Sequence, residues 1–132
     1  IPDFELHTEK ARAVLPASYV RSDVVHNIGA VSFLMAAFMY NKPEYLKFGL
    51  DDHVHVPYRL GLIPGSEEVI RSSVKAGAYG ATISGSGPTI IAFSPSDKAH
   101  LVGESMVSTF KHHGITSSYI VLDFDQSGIS AV

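Results

Sequence analysis

The chain has 132 residues, of which 45% are hydrophobic and 17% charged, with a formal net charge of -3 and no cysteine. That length suits one domain burying roughly two-thirds of its unfolded surface, and the composition is that of a folded protein, not a disordered tail. The slight acidity gives no reason to expect nucleic acid or an anionic membrane as partner. The absence of cysteine excludes a disulfide framework and thiolate metal sites, and makes a reducing cytoplasm the default expectation.

Ile1-Pro2-Asp3-Phe4 lacks an initiator methionine and reads as the tail of a strand, so the chain is expected to be one domain, residues 1–132, of a longer polypeptide. Thr8 to Leu15 is helix-compatible, and Pro16 stops it. Ser22 is the expected N-cap of the next helix, with Asp23 at its positive end. Val24, Ile28, Val31, Met35 and Phe38 then follow helical spacing, while Val25, Leu34 and Met39 widen the apolar stripe. A helix apolar over most of its circumference is expected to be buried and central. Its longest apolar stretch, Ala30 to Phe38, is too short to span a bilayer.

Glu44 to Leu50 predicts a short helix, and Asp51 to Arg59 an irregular segment. Pro64-Gly65-Ser66-Glu67-Glu68 opens a further helix, with Ser66 as cap and Gly77 as terminator. Ser94-Pro95-Ser96-Asp97 starts another, striped by Ala99, Val102, Met106 and Phe110 and closed by Gly114. Ser117 to Phe124 and Ile129 to Val132 read as strands. Helices early and strands late, without βαβ alternation, predict an α+β fold: an antiparallel four-stranded sheet with helices packed on one face.

Between the last two helices lies Gly77 to Phe93. Two β-branched runs, Ala81-Thr82-Ile83 and Thr89 to Phe93, flank the loop Ser84-Gly85-Ser86-Gly87-Pro88. Gly85 and Gly87 permit positive φ and close approach of a ligand to the backbone, so a tight hairpin and an anion-binding loop both account for the pattern. No lysine follows the glycines as in a Walker A loop, and no third glycine opens a helix as in a dinucleotide fold. On this reading Gly87→Val should damage function more than stability.

Two arginines stand out by context. Arg12 lies one helical turn after Thr8, so both can face one ligand, and Arg59 follows Pro57-Tyr58. A guanidinium fork binds a carboxylate through two parallel hydrogen bonds, which suits an amino-acid substrate; a solvated arginine or a structural ion pair is the plainer alternative. His53 and His55 would share a face on a strand and chelate a metal, although no third ligand is evident. His112-His113 is expected to meet the last carbonyls of its helix. Asp51-Asp52 and Glu67-Glu68 resemble Mg²⁺ ligands only as adjacent acids; caps and turns explain them better.

The stretch Gly80 to Thr89 resembles the third signature motif of the kinases named after galactokinase, homoserine, mevalonate and phosphomevalonate kinases. The opening IPDFELHTEKARAVLP, then DDHVHVPYR, LIPGSEEV and the glycine loop occur in the order seen in homoserine kinases, the narrower resemblance. That resemblance implies a ferredoxin-like C-terminal domain of a two-domain enzyme that transfers the γ-phosphoryl of ATP to L-homoserine in threonine biosynthesis. It implies substrate-carboxylate roles for Arg12 and Arg59, with Thr8 beside them, and an active-site glycine loop made of Ser84, Gly85, Ser86, Gly87, Pro88 and Thr89. No residue here is a candidate general base. ATP and Mg²⁺ would be bound mainly by the enzyme's own N-terminal kinase domain, a partner absent from this sequence, so the chain alone is expected to be inactive. Relatives often dimerise, so a homodimer is a further expectation. A non-catalytic amino-acid-binding regulatory domain, or the same domain of a mevalonate-type kinase, would be the alternatives.

Overall fold

In the computed structural model, which describes residues 1–125 together with 127 and 128, the β-branched runs beside the glycine loop pair with each other. β1 (Gly80–Ile83) and β2 (Ile90–Phe93) form an antiparallel ladder, with Gly80 opposite Phe93 and Ile83 opposite Ile90. The helices are α1 (Thr8–Ala13), α2 (Arg21–Met39), α3 (Leu46–Gly49), α4 (Val56–Arg59), α5 (Ser66–Lys75) and, after the sheet, α6 (Ala99–His112). Tight 3₁₀ turns lead into α3 and α6 and follow α4. The fold is α+β.

The sheet has two strands among the described residues, not the expected four. The first segment meets residues 116–118 through a single bridge, Pro2 to Ser117. The Asp3 N–H donates to the Thr116 carbonyl at 2.8 Å and the Ser118 N–H to that of Ile1 at 2.9 Å. Pro2 has no N–H to extend a ladder. Residues 119–124 are held by packing instead: Gly103 of α6 leaves room for the Tyr119 ring, and Phe124 stacks on Phe93 with centroids 6.0 Å apart. The strand expected at Ile129 to Val132 lies outside the described residues.

The core gathers where α5, α6 and the sheet meet: Ile63, Val69, Ala81, Ile83, Ile90 and Phe110 are buried together, with Leu6, Val56 and Met106 against them. Each large side chain buried here contributes about 1.5–3 kcal/mol. Gly65, at φ 77°, is the N-cap of α5, and Ser66 sits inside the helix, its hydroxyl donating to the Leu60 carbonyl at 3.1 Å. Gly77 and Gly114 end α5 and α6 at positive φ, as their positions predict.

α2 departs from expectation. Val20, not Ser22, is its N-cap, and only Ala30 and Ala37 along it are buried. Ile28 is 65% exposed and Met35 54%. Its main neighbour among the described residues is α3 with the preceding turn, approached so closely that a Cβ on Gly49 would stand 2.7 Å from the Leu34 backbone, while Phe38 near its end meets Phe93 and Phe124. One side of the stripe is thereby covered and the rest is not. At 19 residues and a mean hydropathy of 1.3, α2 is also long and apolar enough to cross a bilayer, contrary to what Ala30 to Phe38 alone implied. Its first two turns nonetheless carry Asp23, His26 and Asn27, all engaged with the loop 51–53.

Candidate functional site

The short helices α1 and α4, one side of α2 and the glycine loop converge on a cavity of about 570 Å³. α1 contributes Thr8 and Arg12, one turn apart on the same wall. Arg59 enters from α4, where the sequence predicted only irregular chain; Pro57 in the first turn of that helix was the available signal, since a fixed φ and a missing N–H suit a helix start. Gly85 and Ser86 form the facing edge, and Asn27, Asp51 and Asp52 another.

Arg59 is tethered. Its Nε–H donates to the Ala11 carbonyl at 3.2 Å and Nη1–H to the Gly85 carbonyl at 3.0 Å, tying α1 and the glycine loop to α4. A guanidinium has five N–H donors, so three remain for a ligand. The Arg12 side chain makes no hydrogen bond or ion pair among the described residues. Two guanidiniums on one wall, one of them unpaired, give that wall positive potential. Thr8 Oγ1 lies 3.4 Å from Ser86 Oγ, so α1 touches the loop tip as well.

The loop's two glycines do different things. Gly85 (φ 60°) has open space where a Cβ would project, and it faces the cavity. Gly87 (φ 87°) faces the core: a Cβ there would come within 2.8 Å of Ile63 Cδ1 and 3.4 Å of Leu6 Cδ2. Gly87→Val would therefore meet Ile63 and Leu6 in addition to the cost of its positive φ. The Gly87–Pro88 peptide is cis, the Ser84 N–H donates to the Thr89 carbonyl at 2.8 Å, and the Gly87 N–H to the Ser84 carbonyl at 3.0 Å. Ser84 and Thr89 line a different, apolar cavity of about 500 Å³ between β2, α6 and residues 117–124. Gly87 and Pro88 line neither.

Asp52 organises the opposite edge. Its Oδ1 accepts the Val54 N–H at 2.5 Å, the His55 N–H at 2.7 Å and the Asn27 amide at 3.3 Å. Partial burial acts to raise its carboxyl. The His55 and Val54 N–H groups, the Asn27 amide and the nearby His55 ring outweigh that, and hold it below the ordinary value. Asn27 in turn accepts the His53 N–H at 2.8 Å. Sequence reasoning missed Asn27; its one signal was a polar side chain one turn after Asp23 on an otherwise apolar helix. His53 and His55 do not share a strand face. His55 Nδ1 lies 3.3 Å from Asp52, whereas His53 turns to Asp23 and Asp51. His113 does not serve the end of its helix as expected but meets Glu68, Nε2 to Oε2 at 2.6 Å.

Residues 41–112, more than half of the chain, match the family described as GHMP kinases C terminal. This chain belongs to that family. It is 40% identical over all 132 residues to homoserine kinase of Desulfitobacterium hafniense, covering 44% of that protein. Against homoserine kinase of Carboxydothermus hydrogenoformans identity is 44% over 128 residues, 97% of this chain and 41% of that one. The crystal structure of homoserine kinase from Cytophaga hutchinsonii superposes with a TM-score of 0.82 at 35% identity, over 86% of this chain and 36% of the other. The chain thus spans less than half the length of these relatives. Within a GHMP-kinase C-terminal domain, the cavity between α1, α4 and the glycine loop is the region that the opening, DDHVHVPYR and glycine-loop segments build together.

Proposed function

We propose that this chain is the substrate-side domain of an ATP-dependent homoserine kinase and that its cavity binds L-homoserine by the carboxylate. The observation that carries the reading is the unpaired Arg12 on the same wall as Arg59, with Thr8 beside it. A carboxylate accepts fork-like donors from guanidinium better than from any other side chain. Names of relatives at 40–44% identity supply the substrate. Arg59, by holding the Gly85 carbonyl, would set the distance between the bound amino acid and the glycine loop.

ATP and Mg²⁺ fit this chain poorly by itself. The glycine loop runs into β2 and not into a helix, it has no lysine, and its Ser84 and Gly87 N–H groups are spent on its own turn. Asp52 is engaged by the N–H groups of its own loop. We therefore assign nucleotide and Mg²⁺ to the part of the full-length protein outside these residues, and with them the cover of the exposed face of α2. The complete four-stranded, ferredoxin-like sheet and a cytoplasmic location belong to the same reading. Phosphoryl transfer depends on positioning and charge stabilisation, so both halves are needed.

The test is ATP-dependent phosphorylation by the full-length protein with L-homoserine, L-threonine and mevalonate. Turnover of homoserine at about 1–100 per second, far above the other two, supports the proposal. Preference for mevalonate, or tight amino-acid binding without turnover, rejects it.

A further inference from the structure

Beside the cavity, outside the arginine wall, α2 and the loop 51–53 bring His26, Asp51 and His53 together. One nitrogen of each ring and one carboxylate oxygen lie within 4.8 Å of one another. His26 Nε2 is 3.0 Å from the Asp51 backbone carbonyl and 3.1 Å from Asp51 Oδ2, and His53 Nε2 is 3.8 Å from Asp51 Oδ1; a bound ion would take the place of the contact to the carbonyl. The two imidazoles stack with centroids 3.8 Å apart and planes 14° from parallel. Stacked in this way, one nitrogen of each ring can reach a single ion shared with Asp51.

A second feature points to the cation. His53 Nδ1 faces a different carboxylate, Asp23 Oδ1, at 3.5 Å. Asp23 thus stands on the Nδ1 side of the ring while Nε2 faces Asp51, the disposition of a carboxylate–histidine–metal arrangement, in which an outer carboxylate orients a ligating ring. The backbone supports it too, because Asn27 holds the His53 N–H at 2.8 Å and so fixes the loop against α2.

We propose that His26, Asp51 and His53 form a site for a divalent cation of borderline softness, Zn²⁺ or a metal like it, with Asp23 as the residue that orients His53. Two imidazoles and one carboxylate suit Zn²⁺, whereas Mg²⁺ prefers oxygen donors and retained water. Three protein ligands leave a fourth position open to water. Bound there, the metal would clamp the 51–53 loop to the start of α2, and through Asp52 steady one edge of the cavity.

Cobalt(II) titration of the full-length protein, stripped with chelator and free of nucleotide, tests this through the visible absorption of a low-coordinate site. One tight equivalent, displaced by Zn²⁺, is expected. His26→Gln and His53→Gln should abolish the tight phase, Asp23→Asn should weaken it about tenfold, and His112→Gln should leave it unchanged. Zn²⁺ should also raise the melting temperature of the wild type and not that of His26→Gln. Cobalt affinity unaffected by the histidine substitutions, or no tight equivalent in the wild type, would overturn the site. Should either histidine variant fail to fold, an unchanged affinity in Asp23→Asn overturns it as well.

Discussion

At the scale of single residues, the glycine loop separates two roles that its sequence presents as one. Gly85→Ala adds a methyl to open space and costs mainly the left-handed conformation, about 1–2 kcal/mol. Gly87→Val adds that cost to an encounter with Ile63 and Leu6, and overpacking a core costs a further 1–3 kcal/mol or so. Thermal melts should therefore rank Gly87→Val well below Gly85→Ala; the reverse order would mean that the loop does not pack as described. Asp52 gives a pH prediction. Its folded-state carboxyl lies below the ordinary 3.8, so its contribution is fully present above that value and is lost as pH falls through the lower folded one. The stability gap between wild type and Asp52→Asn should narrow as the pH falls below about 3.8; a gap unchanged on acidification through that value would detach Asp52 from acid unfolding. Both glycines and both arginines could be picked from the sequence because their residue types are unusual in context. Which glycine faces the cavity could not, since that depends on where Ile63 arrives from another element.

At the scale of elements, helix limits were legible where chemistry marks them. Gly77 and Gly114 close α5 and α6, and Pro16 lies just beyond the turn that follows α1. α4 was missed because one turn is too short for any periodicity to show. The sheet was overcounted because residues 117–124 have strand-like composition but make their contacts through Tyr119 and Phe124 side chains. α2 was misread in burial because an apolar circumference states what a helix requires, not which chain supplies it. That yields a test of its cover. Met35→Glu on the exposed stripe should change the stability of this isolated chain by less than about 0.5 kcal/mol. In the full-length protein the same change should cost about 2 kcal/mol or more, as a polar group driven into an apolar contact does. Equal small effects in both would leave the stripe exposed in the complete protein.

At the scale of the molecule, the proposed function requires a partner half for the cavity to do chemistry. Holding both reactants in place can supply roughly 7–11 kcal/mol of catalysis, and this chain offers a wall for only one of them. Purified alone, it should give no ATP-dependent homoserine phosphorylation, and turnover near that of ordinary kinases would place the nucleotide site within these residues. The central claim is that the Arg12–Arg59 wall recognises a carboxylate. Arg12 tests it best, because its side chain has no structural bonds among the described residues whose loss would confuse the result. The measurement is calorimetric affinity of the full-length protein, wild type and Arg12→Gln, for L-homoserine and for L-homoserinol, which carries an alcohol in place of the carboxylate. A charge-assisted hydrogen bond is worth about 1.5–3 kcal/mol, so Arg12→Gln should weaken homoserine about tenfold or more and leave homoserinol unchanged. Equal weakening of both ligands, or of neither, would contradict the account.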